Sequence, residues 1–315
     1  KKGEFVEETF IVNKRSPRIS AKESVKVKDR EKSKLDWDDR LTIEINGDAP
    51  VCESIRVEAA DPATPTIFLC GNSTVVDQEN EPWASWGQML PRFLTDKISV
   101  ANHAESGLSA NTFISGNRLK KIMSQIKKGD YVFVEFGHND QKQKGPGKGA
   151  YYSFMTSLKT FIDQIQEKGG QPVLVTPTRR RRFDKEGRTV NTHGEYPDAV
   201  RWIAAKENVP LIELNNMPGT LYEALGESGS KKAFVHYPMG SFPGQKKELA
   251  DNTHFNPYGA YQIAKCVIEG MKKATPKLTK YLKTDTSYDP AKPDNVDSFH
   301  WCPAPFCEME KPDGN

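Results

Sequence analysis

From residue 66 onward, short apolar runs alternate with longer stretches in which apolar side chains recur every three or four positions. The runs fall at 66–70, 98–102, 131–136, 172–176 and 210–214. They lack clean in-and-out alternation, the pattern of parallel strands covered on both faces. The intervening stretches at 83–94, 118–127, 152–167 and 195–207, and a last one at 257–272, read as helices. In 152–167, Phe154, Leu158, Phe161, Ile162 and Ile165 keep to one face. Strands alternating with helices predict an α/β fold, a three-layer α/β/α sandwich on a five-stranded parallel sheet.

The first 61 residues differ. Runs at 4–13, 24–28, 40–46 and 54–58 have β-type composition with turn residues between them, which predicts a small N-terminal β-rich module, part of a β-sandwich. Asp61-Pro62-Ala63-Thr64-Pro65 reads as a linker. The expected organisation is a β-rich module at 1–61, an α/β domain at 62–274 and a tail at 275–315. That tail is rich in Pro, Asp and Lys, with Tyr281, Phe299 and Trp301 as anchors.

Charge and length narrow the partners. Lys plus Arg number 45 against 42 Asp plus Glu, a net +3, too near neutral for a nucleic-acid binder. No apolar run approaches the ~18 residues of a membrane span. The chain shows no secretory signal, and a processed N-terminus accounts for that as well as cytoplasmic residence does. The cysteines are Cys52, Cys70, Cys266, Cys302 and Cys307. Cys70 and Cys266 read as buried thiols; whether Cys302 and Cys307 close a small disulfide loop stays open.

In a doubly wound sheet, active residues gather beyond the carboxyl ends of the strands, and those ends are unusually polar here. Gly71-Asn72-Ser73-Thr74 follows the first strand, and Asn102 through Gly107 the second. Gly137-His138-Asn139-Asp140 follows the third, and Thr178 with Arg179–Arg182 the fourth. Asp251-Asn252-Thr253-His254 precedes the last helix. A serine just past a glycine can be lifted clear for attack, a histidine can deprotonate it, and a carboxylate can orient the imidazole.

These blocks, in this order, resemble those of the SGNH, or GDSL-type, hydrolases, whose fold is flavodoxin-like. The resemblance spans 66–272. It implies Ser73 as nucleophile, His254 as general base and then acid, and Asp251 as its orienting carboxylate. The oxyanion donors would be the Ser73 and Gly107 N–H groups and the Asn139 side chain. One position departs from the family: Asn72 stands where Asp is usual, keeping an acceptor oxygen and gaining a donor. Closer resemblance lies in the flanks. Ser73-Thr74-Val75-Val76-Asp77, the stretches at 82–91 and 102–109, Thr192-His193-Gly194 and the run at 254–259 are similar to the rhamnogalacturonan acetylesterases. That implies a secreted or periplasmic enzyme that deacetylates pectic polysaccharide through an acetyl-Ser73 intermediate, without metal or organic cofactor. Asn72, Thr74, His138, Arg179, Arg180 and His193 are then the candidate substrate contacts, the arginines through galacturonate carboxylates.

Several competing readings stand beside these. Ser109, in Gly107-Leu108-Ser109, nearly matches a nucleophile elbow but lacks the closing glycine. The histidines show no H-x-H or H-E-x-x-H spacing for zinc. Asp140 reads as a loop brace, with no facing carboxylate to make a glycosidase pair, and Trp83 and Trp86 as core. An esterase for another acetylated glycan or small acyl ester, and a glycan-binding protein with a silent site, remain the alternatives. Oligomeric state is not legible.

Overall fold

The computed structural model describes residues 5–38, 40–47 and 49–304. Five parallel strands form the central sheet: β1 (Thr66–Cys70), β2 (Ser99–Asn102), β3 (Tyr131–Glu135), β4 (Gln171–Val175) and β5 (Leu211–Ile212), in the order β2-β1-β3-β4-β5. The chain winds one way from β1 to β2 and the other way from β3 to β5. The crevice between β1 and β3 is therefore the topological switch point, where doubly wound sheets bind ligands. The register Ile67↔Tyr131 through Cys70↔Val134 brings the ends of β1 and β3 level, so their following loops emerge side by side.

Alternate strand residues feed two separate cores. Ile67, Leu69, Phe133, Val173 and Val175 face a cluster completed by α1 (Trp86–Met89) and by Ile263, Val267 and Met271 of α7 (Pro257–Ala274). Phe68, Cys70, Val132, Val134 and Leu174 face the other side. There α2 (Ala110–Ser115), α3 (Arg118–Met123), α4 (Met155–Glu167) and α5 (Tyr196–Lys206) supply Phe113, Leu119, Phe161 and Ile203. Both sheet faces are thus dry, as the unalternating runs require. The 3.6-residue stripe of α4 buries Leu158, Phe161, Ile162 and Ile165, each contributing roughly 2 kcal/mol by removal of apolar surface from water. Asp130 ties the sheet's lower edge, accepting from the Thr66 N–H at 2.8 Å and the Lys127 N–H at 2.9 Å.

Two elements were not legible in the apolar pattern. One is α6 (Asn216–Gly229), whose periodicity Pro218, Gly219 and Gly226 dilute. The other is an antiparallel hairpin of β6 (Phe234–Tyr237) and β7 (Leu249–Phe255). β7 carries Asp251 and His254, so those residues sit on a strand just ahead of α7.

The N-terminal β-rich module expected over 1–61 is not what the described residues form. Among the described residues up to 60 there is no strand, and a β-bridge joins Arg18 to Ser24. Alternation specifies which face a strand would bury, but a strand also needs a neighbour for its backbone groups. Here Leu41, Ile43 and Ile45 remain exposed. Residues 15–38 instead lie against the α/β domain and bury Val25, Glu31 and Trp37. The Trp37 ring is flanked by the Arg15 and Arg118 guanidinium groups at 4.9 and 5.2 Å and meets His103 edge-on at 5.3 Å. At the other end, the tail to residue 304 lines α7. Tyr258 Oη donates to Asp294 O at 2.7 Å, Lys265 pairs with Asp294 at 2.6 Å, and Trp301 Nε1 reaches Glu81 at 2.9 Å. The Cys302–Cys307 question lies outside the described residues, because Cys307 is not among them.

Candidate active site

Gly71, at the end of β1, lets the following turn fold tightly: a Cβ there would stand 2.4 Å from a Val75 methyl. The turn closes through Val75 and Val76 N–H groups donating to Asn72 O at 3.0 Å, and Gln78 Nε2 holds Ser73 O at 2.9 Å. Ser73 is thereby set at the switch point, half-exposed. His254 Nε2 lies 2.8 Å from Ser73 Oγ, and His254 Nδ1 lies 2.6 Å from Asp251 Oδ2. Asp251 Oδ1 also accepts from the Thr253 and His254 N–H groups at 2.7 and 3.0 Å. Burial pulls the Asp251 carboxyl up, but the His254 contact and these amides outweigh it and leave it below the usual carboxylate range. A charged carboxylate on Nδ1 leaves Nε2 as the acceptor for the Ser73 proton.

The groups expected as oxyanion donors lie on three loops. Neither the Ser73 nor the Gly107 N–H donates to a protein acceptor among the described residues. Asn139 is aimed by donating from Nδ2 to Leu108 O at 2.9 Å, which leaves its second amide hydrogen free for a ligand. Asp140 braces this corner: its carboxylate accepts from Ala110 N–H at 2.8 Å and Gly137 N–H at 2.9 Å. Burial nevertheless pushes the carboxyl up to about 6.

Ser73, His254 and Asp251 are thus brought together, with Gly107 and Asn139 on adjoining loops. The sequence profile of the GDSL-like Lipase/Acylhydrolase family matches residues 69–261, a span that holds all five. The chain belongs to that family. Among members of this GDSL-like family, it is 41% identical over 218 residues to rhamnogalacturonan acetylesterase RhgT of Bacillus subtilis, covering 69% of this chain and 93% of the relative. Its identity to a rhamnogalacturonan acetylesterase of Emericella nidulans is 25%, over 71% of this chain and 91% of that protein. The crystal structure of YxiM from Bacillus subtilis superposes with a TM-score of 0.58 at 27% identity, covering 67% of this chain and 57% of that one.

The residues read as substrate contacts separate in this GDSL-like site. Asn72 and Thr74 are both 0% exposed; they brace the nucleophile turn. Asn72 Oδ1 accepts from the Thr74 N–H and Oγ1 at 3.1 Å each. His138 and His193 are also buried, packed edge-to-face at 4.3 Å. Burial keeps both imidazoles neutral, with His193 pushed down to about 3 by burial and the Arg180 and Arg179 charges. Arg179 is engaged as a brace by Thr189, Asn215 and Asn216. Arg181, buried, anchors β7 beneath the triad by donating to Asn252 Oδ1 at 2.9 Å and to Glu227 O. Arg180 differs: besides bonds of 3.3 Å to His138 O and 3.4 Å to Thr192 O, its Nη2 lies 2.7 Å from the Gln141 side-chain amide, and it feels the charge of Asp251. Ser109 is 2% exposed, and its hydroxyl is bonded to Asn111 and Thr112 rather than to a histidine.

Sequence reasoning missed Glu135. Its carboxyl, fully buried at the end of β3, accepts from Trp86 Nε1 at 2.6 Å, Thr178 N–H at 3.0 Å and Thr74 Oγ1 at 3.2 Å. Burial overrides these bonds and raises it to about 7. A lone acid closing an apolar parallel strand was the available signal.

Proposed function

We propose that this chain is a serine O-acetylesterase that removes acetyl groups from rhamnogalacturonan. The carrying observation is the 2.8 Å approach of Ser73 Oγ to His254 Nε2, relayed to Asp251 at 2.6 Å, on a family fold. The substrate class is supported by the relative named rhamnogalacturonan acetylesterase, matched over 93% of its length.

In the reaction, Ser73 Oγ attacks the acetyl carbonyl while His254 Nε2 takes its proton. Negative charge moves to the carbonyl oxygen, where the Ser73 and Gly107 N–H groups and Asn139 Nδ2 receive it. The tetrahedral adduct collapses, the sugar oxygen leaves with the proton from His254, and acetyl-Ser73 remains. Water, deprotonated by His254, then adds to that ester, and acetate leaves as Ser73 regains its proton. Each bond to oxygen that breaks is matched by one proton transfer through the same imidazole, so the cycle closes with one water consumed. Arg180, close enough to the reacting centre to feel the charge of Asp251, is the proposed partner of a galacturonate carboxylate, taken in exchange for its Gln141 contact. A polymeric substrate of this kind suits a secreted or periplasmic enzyme.

The test is acetate release from acetylated rhamnogalacturonan and from acetylated xylan, with wild type and Ser73→Ala. Release from rhamnogalacturonan that Ser73→Ala abolishes is the expected outcome. Equal release by both proteins removes the serine mechanism, and preference for xylan removes the pectic substrate.

A further inference from the structure

The Ser106–Gly107 peptide has its two ends in different hands. Its N–H is that of Gly107, on the oxyanion side. Its carbonyl, Ser106 O, accepts from Lys28 Nζ at 2.6 Å and also from Arg30 Nη2, both on the N-terminal segment. These cations are held in turn. Glu105, almost fully buried, pairs with Arg30 at 2.7 Å and with Lys34 at 3.2 Å. Glu31 accepts from the Lys28 N–H at 2.7 Å and pairs with Arg118, whose Nη1 donates to His103 O at 3.2 Å. The segment thus grips the loop after β2 at residues 103, 105 and 106. Gly107 has φ +80° and is exposed, and a Cβ on it would stand 3.3 Å from Lys28 Nζ. The ammonium therefore sits at the lip of the oxyanion site.

We propose that Lys28 and Arg30 are positioning residues that orient and polarise the Ser106–Gly107 peptide for oxyanion stabilisation. This rests on the assignment of the Gly107 N–H as an oxyanion donor. The physics is that of a charge-assisted hydrogen bond at one end of an amide. Drawing electron density toward the carbonyl oxygen makes the N–H at the other end a stronger donor. Two cations on one carbonyl also fix the peptide plane, so the donor needs no reorganisation when charge develops. The ammonium adds a direct attraction for the developing oxyanion across the lip, in a site partly screened from water. A segment that the apolar pattern assigns to a separate module thereby becomes part of the turnover machinery.

The measurement uses the full chain and p-nitrophenyl acetate, a substrate without a carboxylate, alongside acetylated rhamnogalacturonan. Lys28→Met should lower kcat on p-nitrophenyl acetate about tenfold, less than the roughly 100-fold or more for loss of a donor outright. KM and melting temperature should stay near wild type, Lys28→Arg should restore most of kcat, and Lys28→Met/Arg30→Met should fall further. An unchanged kcat overturns the inference. So does a rise in KM confined to the polysaccharide, which would make the cations substrate ligands. A loss that Lys28→Arg does not rescue and that follows a drop in melting temperature makes the contact structural only. Ser73→Ala separates this from the site itself. If Ser73→Ala is inactive while Lys28→Met is unchanged, only this inference fails; if Ser73→Ala keeps wild-type rate, the site assignment fails and takes the inference with it.

Discussion

Glu31 and Arg118, 87 positions apart, form a buried ion pair at 2.5 Å with both carboxylate oxygens in reach of one guanidinium nitrogen. Side-chain exposure is 0% for the acid and 1% for the base. Breaking such a pair leaves a buried charge without a partner, which costs about 3–5 kcal/mol. Glu31→Ala should therefore lower the unfolding free energy by about that amount in chemical denaturation. Glu31→Leu/Arg118→Met, which removes both charges, should recover most of it. Equal losses in the two variants would show that the segment contributes packing and not charge pairing.

The Glu135 carboxyl makes stability pH-dependent in an unusual direction. Its folded value of about 7 lies above the ordinary 4.5, so the folded chain keeps a proton that the unfolded chain releases. The contribution is complete below pH 4.5 and is lost as pH rises through about 7. The rise from 4.5 to about 7 corresponds to about 3 kcal/mol. His193, lowered to about 3, acts oppositely, adding stability as pH rises toward 6.5. Glu135→Gln isolates the acid: relative to wild type, its unfolding free energy should improve from pH 5 to about pH 7 and level off above that. A constant difference across that range would refute the shift.

Asn72 and Glu135 share one hydroxyl, that of Thr74, at 3.1 and 3.2 Å. With Asn at 72, the Thr74 hydroxyl lies between the Asn72 side-chain oxygen and one buried acid, Glu135. Asn72→Asp would place a second buried acid on this hydroxyl, and two such carboxyls do not ionise together cheaply. Asn72→Asp should cost about 1–3 kcal/mol at pH 8, and Asn72→Asp/Glu135→Gln should regain much of that. The check is a double-mutant cycle by denaturation; additive effects would mean that the two side chains are uncoupled.

Arg180 is the arginine of the run whose guanidinium feels the charge of Asp251, beside the reacting centre. Arg180→Met should raise KM for acetylated rhamnogalacturonan about tenfold, the scale of one charge-assisted contact, and leave p-nitrophenyl acetate kinetics unchanged. Parallel loss on both substrates would move Arg180 from recognition to support of the loop carrying His138.

The sequence by itself determined the parallel sheet and singled out Ser73, Asp251 and His254, which the fold brings together. Uninterrupted apolar runs at β1, β3 and β4 mean strands buried on both faces, and the elements around them follow a local period. Ser73, Asn139 and His254 were legible because each occupies a short block whose chemistry is local: a tight glycine turn, a loop brace, a carboxylate three residues before an imidazole. Long-range partners were decided only by the tertiary structure. Alternation at 41–45 describes a strand without supplying the edge it would pair with, so those residues join no sheet. The four arginines are alike in sequence, and only their neighbours make Arg179 and Arg181 braces and leave Arg180 at the site. The same holds for Lys28 and Arg30: nothing local distinguishes them from other surface cations. Buried Glu31 and Glu105 draw their segment onto the Ser106 carbonyl, because a charge that leaves water must find its opposite, wherever in the chain that lies.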